Sequence, residues 1–180
     1  QGLLYQPSSF NDKVGVSLAD TPLGGSTIRE FLVGEYDKKD ANLLWSALEI
    51  VSLDQRIKEF PLKLDSLLLE NASNLSSGEK KRLAIARALV SAQNGWVFLD
   101  EPYIGLNQEL IKTIHSNLKN NKQLSIMLVT HNLRMLKPQD KVIFFSDIAS
   151  PEIGTHSQLL NSSEMYRNYY KSQMNGDINV

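Results

Sequence analysis

The rhythm of apolar positions changes near the middle of the chain. From about residue 27 to residue 93 they recur at helical spacing, whereas the second half carries short unbroken apolar runs. DANLLWSALEIV (40–51) places Leu44, Trp45, Leu48 and Val51 on one helical face, with Asp40 positioned to cap it. Thr27-Ile28-Arg29-Glu30 has the hydroxyl-x-x-Glu spacing that opens a helix. LKLDSLLLENASN (62–74) is a short helix or loop, and it leads into NLSSGEKKRLAIARALV (74–90), a charged turn that becomes an apolar helix. Before this region, GLLY (2–5) reads as a strand running into Gln6-Pro7, and 11–26 reads as turn-rich around Pro22 and Gly24-Gly25.

GWVFLDEP (95–102) and LSIMLVTH (124–131) are apolar runs of the kind that parallel strands buried on both faces require. Between them Leu106, Leu110, Ile111, Ile114 and Leu118 mark an amphipathic crossover helix, so the pair predicts a βαβ unit. KVIFFS (141–146) predicts a further strand, and NGDINV at the end a loose tail. The expected class is α/β. In open parallel sheets ligands sit beyond the carboxyl ends of the strands, where both runs place their reactive side chains.

Composition narrows this little. The 180 residues carry a net charge of -1, which gives no basic footprint for nucleic acid, and zero cysteines rule out disulfides and thiolate metal sites. No apolar run approaches the length of a membrane span. The first methionine is Met127, so the chain is expected to be a piece of a longer one.

Three groups could carry chemistry. Asp100 and Glu101 close a buried strand: the first could hold Mg²⁺ against nucleotide phosphates and the second could polarise an attacking water, although a polar strand end entering a proline turn would look the same. His131 closes the neighbouring run, where a donor could sense a γ-phosphate; taken alone it reads as a structural histidine. Ser76 to Glu79 fits a capping box, and the same helix tip, with a hydroxyl and the side-chain-free Gly78, also suits an anion.

Together these elements resemble the nucleotide-binding domain of ABC transporters, of the exporter type. LSSGE (75–79) is similar to the LSGGQ signature, WVFLDEP (96–102) to the Walker B strand with its catalytic glutamate, and LVTH (128–131) to the switch-histidine loop. Gln6 resembles the Q-loop glutamine and YIGLN (103–107) occupies the D-loop position. STIREFL (26–32), Glu70 and IGTHSQLL (153–160) are similar to exporter-type domains. Departures are Ser77 for the first signature glycine, Glu79 for the glutamine and Asn107 for the D-loop aspartate, with 11–25 standing as an insertion; Leu69 and Ala72 replace the glycines usual around Glu70. Nothing matches G-x-x-x-x-G-K-[ST]; LGGST (23–27) lacks the lysine and reads as a glycine turn feeding a helix cap.

The resemblance implies a P-loop NTPase-like parallel sheet flanked by helices, incomplete at the N-terminus. Residues 1–10 and 94–180 would form the α/β core, and 11–93 an inserted helical subdomain carrying the signature. It implies ATP and Mg²⁺ as cofactors, with Glu101 and His131 catalytic and Asp100 and Gln6 at the metal. Gln6, Ser76, Ser77, Gly78, Glu79 and Asn107 would contact nucleotide, the signature residues reaching ATP bound to a second, identical or different, nucleotide-binding domain. The remaining expectations are a membrane domain fused upstream, no nucleic-acid partner, a place at the cytoplasmic face of the cell membrane, export powered by ATP hydrolysis, and an inactive 180-residue piece. A degenerate regulatory ABC domain, or the C-terminal lobe of an SMC-like DNA-repair ATPase, stands as the alternative.

Overall fold

The computed structural model describes residues 14–18, 23, 27–34, 39–93, 95–147 and 150–175. They fall into two compact units, which divide between Thr130 and His131.

The first unit is built on a three-stranded parallel sheet in the order β1 (Val14–Ser17), β2 (Trp96–Asp100), β3 (Ser125–Val129). The register is continuous across it, with Val16 opposite Phe98 and Phe98 opposite Met127. β1 lies inside the stretch that reads as turn-rich. Four residues, one of them glycine, give too short a pattern to register as a strand, yet that glycine is what the packing needs. A Cβ on Gly15 would lie 1.7 Å from the Ala88 carbonyl oxygen, so only glycine lets the helix over it approach so closely.

That helix is α4 (Ser77–Ala92); α1 (Ile28–Val33), α2 (Ala41–Ile50) and the short α3 (Asp54–Lys58) precede it. Leu83, Ala84, Ile85, Ala86, Ala88, Leu89, Val90 and Ala92 of α4 are buried. Their number explains why α4 can pack on β1 and β2 on one side and on α1 and α2 on the other. The alanines permit close approach while Leu83 and Ile85, both fully buried, supply the volume. Both predicted caps form: Thr27 and Glu30 exchange hydrogen bonds of 3.1 and 2.9 Å, and Asp40 accepts from Asn42 N–H at 3.0 Å. The crossover helix α5 (Gln108–Asn120) buries Ile111, Ile114 and Leu118 as its pattern requires.

Among the described residues, the strands are covered on one face only. Val97 and Leu99 are buried on the α4 side, whereas Val16, Trp96, Met127 and Val129 on the opposite side are 52%, 48%, 40% and 56% exposed. An apolar run thus marks a parallel strand here without marking two-sided burial.

The second unit pairs β4 (Lys141–Phe144) with β5 (Glu152–Thr155) in antiparallel register, followed by α6 (His156–Ser162) and α7 (Glu164–Asn175). KVIFFS therefore does form a strand, but its partner is EIGT and not the parallel sheet. The core of this unit gathers Leu133, Leu159 and Tyr166, with Phe144 and Tyr169 packed against them.

Candidate functional site

Ser76 is the N-cap of α4. Its hydroxyl accepts from Glu79 N–H at 3.3 Å, and the Glu79 carboxylate accepts from Ser76 N–H at 2.7 Å. The first helical bond runs from Lys80 N–H to Ser76 C=O at 2.9 Å. Of the four N–H groups that every helix start leaves over, this box takes up those of Ser76 and Glu79 and leaves those of Ser77 and Gly78 at the tip. Ser76 and Ser77 are exposed and Gly78 is half-buried.

Glu79 is more than a cap. Its second oxygen receives Arg56 Nε from α3 at 3.0 Å. Burial works to raise the Glu79 pKa, and the Ser76 N–H and hydroxyl together with Arg56 outweigh it, holding the carboxyl below its ordinary value. Arg56 thus sets a positive charge beside the Glu79 carboxylate, shared with Glu59, to which its Nη1 donates at 3.0 Å. Arg82, one turn on, donates to Gly78 C=O at 3.3 Å and to the Val51 and Ser52 carbonyls that end α2. Burial lowers its pKa, against a smaller opposing effect of Glu79. The guanidinium fixes the tip of α4 to the end of α2.

The carboxylates sit at the far end of β2, opposite Val129 in β3. Asp100 and Glu101 are both half-buried. Glu101 has φ 42°, in the left-handed region that costs a non-glycine residue roughly 1–3 kcal/mol, and its N–H donates to Val129 C=O at 3.0 Å. The chain then turns through Pro102 to Tyr103, which is 5% exposed. Tyr103 meets His115 of α5 edge-on, with its hydroxyl 3.2 Å from Nδ1. Asn107 caps α5, accepting from Leu110 N–H at 2.9 Å. The turn between them reaches the signature tip: a Cβ on Gly78 would lie 3.1 Å from Leu106 Cδ2. The fold therefore brings LSSGE and YIGLN into contact within the first unit.

His131 opens the second unit and is exposed. Its Nδ1 lies 3.3 Å from the hydroxyl of Tyr169 on α7. Gln6 lies outside the described residues.

Comparison with known proteins matches this arrangement. The model of the ABC transporter family covers residues 5–104, more than half of the chain. The chain belongs to the ABC transporter family. The matched span includes Gln6, the LSSGE turn and Asp100–Glu101, and ends before Asn107 and His131. Over 171 residues, 92% of this chain, the sequence is 34% identical to the mitochondrial iron-sulfur clusters transporter ATM1 of Kluyveromyces lactis, of which it spans 23%. It is 30% identical over 172 residues to the ATP-dependent lipid A-core flippase of Photobacterium profundum, covering 94% of this chain and 29% of that protein. A bacterial Atm1-family ABC exporter solved with ATP bound superposes with a TM-score of 0.80 at 24% identity, over 92% of this chain and 29% of that one, which establishes the fold.

The expected α/β ABC-ATPase fold thus holds, and the chain is a nucleotide-binding domain of exporter type that spans about a quarter of the length of the relatives it matches. For such a domain the donor set at β2 suits Mg²⁺, which binds through one or two carboxylates plus phosphate oxygens, and Asp100 offers the first of these. Three features of this ABC domain escape a reading of motifs alone. Arg56 is one; a glutamate in the glutamine position of the signature demands a cation, but nothing in sequence says which. Tyr103 and Tyr169 are the others, joined to His115 and His131 across 12 and 38 positions.

Proposed function

We propose that this domain hydrolyses ATP to power an exporter, working as one of a head-to-tail pair whose signature tips each close on the nucleotide held by the other. Glu101 supports this most directly. The residue is held in the left-handed region at the carboxyl end of a parallel strand, the end at which open parallel sheets bind ligands, with its N–H committed to the neighbouring strand.

In this scheme Glu101 orients the attacking water and accepts its proton, and His131 donates to the γ-phosphate. Asp100, with Gln6, would hold Mg²⁺, which would supply positive charge for the phosphate oxygens. The Ser76 hydroxyl and the N–H groups of Ser77 and Gly78 serve the partner's nucleotide, and Asn107 stands between the paired sites. Because the 180 residues contain no Walker A match, the chain alone turns over no ATP. No helix among the described residues is long and apolar enough to cross a membrane. The domain works at the cytoplasmic face, next to a membrane domain in the same polypeptide.

The test is Glu101→Gln in the full-length transporter. ATP binding should persist while turnover falls by about 10²-fold or more, the scale of a general base. Undiminished hydrolysis would remove Glu101 from the role. Retained turnover by the unaltered 180-residue chain would refute its dependence on a longer protein.

A further inference from the structure

Residue 79 closes the capping box of α4 with a carboxylate, and the two oxygens of a carboxylate can only accept. One is taken, because Oε2 accepts from Ser76 N–H at 2.7 Å. The other is largely withdrawn from water, the side chain being 16% exposed, so leaving it without a donor would be costly. Arg56 Nε meets it at 3.0 Å. The arginine is held ready for this. Leu53 and Ile57, both fully buried, pin α3 on either side of it. Its Nη1 donates to Glu59 at 3.0 Å, and its guanidinium lies over the Phe60 ring, 4.8 Å from the centroid. With the flat group fixed from two sides, Nε is aimed at α4, 23 positions away in sequence. A glutamine at residue 79 would need no such partner. With its oxygen on Ser76 N–H, its remaining group is an NH₂, which would set donor against donor at Arg56.

We propose that Arg56 is a positioning residue for the signature tip, required because residue 79 is a glutamate: it holds the carboxylate on Ser76 N–H and so keeps the first turn of α4 closed. This rests on the reading that the tip serves the nucleotide of a second domain. Without Arg56 the carboxylate would swing toward water or another donor and release Ser76 N–H. The first turn then frays, and the N–H groups of Ser77 and Gly78 lose their common direction. Arg56 touches no nucleotide in this scheme. It acts through Glu79, and it ties α3 to the tip by a contact that a glutamine in the signature would not call for.

The test is a double-mutant cycle in the full-length transporter, read as kcat for hydrolysis at saturating ATP. Arg56→Gln in the wild type should lower kcat roughly three- to tenfold, between the weight of an exposed ion pair and that of a buried charged hydrogen bond. In the Glu79→Gln background the same substitution should change kcat by less than about twofold, and the cycle cancels whatever Glu79→Gln does by itself. Arg56 also packs on Phe60 and pairs with Glu59, and a merely structural role through those contacts would give the same loss in both backgrounds. Equal losses, or no loss in the wild type, would overturn the proposal. Melting of the purified transporter certifies each variant. Should Arg56→Gln fail that control, Arg56→Lys carries the same cycle, since a single ammonium keeps the charge but cannot replace the planar fork.

Gly78→Asp in the same transporter separates this claim from the reading beneath it. If turnover survives that substitution, the tip does not serve ATP and both fall. If turnover is lost while Arg56→Gln acts equally in the two backgrounds, the reading stands and the role of Arg56 falls.

Discussion

Gly15→Ala places one methyl group where the structure has no room. The new Cβ would lie 1.7 Å from the Ala88 oxygen, 2.6 Å from its carbonyl carbon and 3.0 Å from its Cα. All three are backbone atoms, so no side chain can swing away, and restoring an ordinary carbon–oxygen contact of about 3.3 Å requires α4 to move by roughly 1.5 Å. Overpacking usually costs about 1–3 kcal/mol, and a rigid helix on a rigid strand belongs at or above the top of that range. For a chain of this size that lowers Tm by roughly 6–12 °C. Gly34→Ala is the control: its φ of 88° strains an alanine, but nothing lies within 4 Å of the added atom. The conformational cost alone is about 1–2 kcal/mol. Thermal and urea unfolding of both variants should rank Gly15→Ala as clearly the more damaging. Equal or smaller destabilisation at Gly15 would refute the packing of α4 on β1. Because α4 also carries Ser76 at its tip, any folded Gly15→Ala transporter should lose turnover by about 10²-fold, as expected of a misplacement of roughly 1 Å.

Two further outcomes follow from the same contacts. The Glu79 carboxyl is held below its ordinary value in the folded state, so the stability it contributes is present above the unfolded pKa of about 4.3 and is lost as pH falls through the folded one. Urea midpoints between pH 5 and pH 3 should therefore fall less in Glu79→Gln than in the wild type, by no more than about 1 kcal/mol given the exposure of Arg56; an identical fall in both would remove Arg56 from its role. The one-sided sheet makes Leu99→Ala, buried at 1% exposure, cost about 2–5 kcal/mol, while Met127→Gln on the open face stays within about 0.5 kcal/mol; comparable losses at the two positions would contradict the asymmetry.

What could be read from the sequence was local. The capping boxes at Thr27 and Ser76 need only four consecutive residues, and both form. The crossover helix announces itself by period, and the two apolar runs by composition. What could not be read depends on distance. β1 is four residues long, and its glycine acquires meaning only against Ala88, more than seventy positions later. KVIFFS shows strand chemistry but not its partner, because the antiparallel pairing with EIGT is a contact between two segments that the pattern of neither one specifies. The open face of the sheet was hidden for a related reason: Trp96 and Met127 are as apolar as Val97 and Leu99, and only the position of α4 separates covered from uncovered. At the site, carboxylates, signature and histidine were visible as motifs, whereas Arg56, Tyr103 and Tyr169 enter only through side-chain geometry. Gln6 lies outside the described residues.

The claim that α4 presents its tip to a nucleotide is tested most directly by Gly78→Asp. The added Cβ would meet the far end of the Leu106 side chain at 3.1 Å and the Gly105 carbonyl oxygen at an ordinary 4.0 Å, and aspartate is favourable in the first turn of a helix, so the fold should be kept. A new carboxylate about 4 Å from a phosphate oxygen costs roughly 4 kcal/mol at the effective dielectric of such sites. The measurement is steady-state ATP hydrolysis by the full-length transporter, with its own ATP binding and melting temperature as controls. The expected result is a loss of at least about 10²-fold in turnover, with binding and melting unchanged. Turnover within about threefold of the wild type would contradict the placement of this helix tip on ATP.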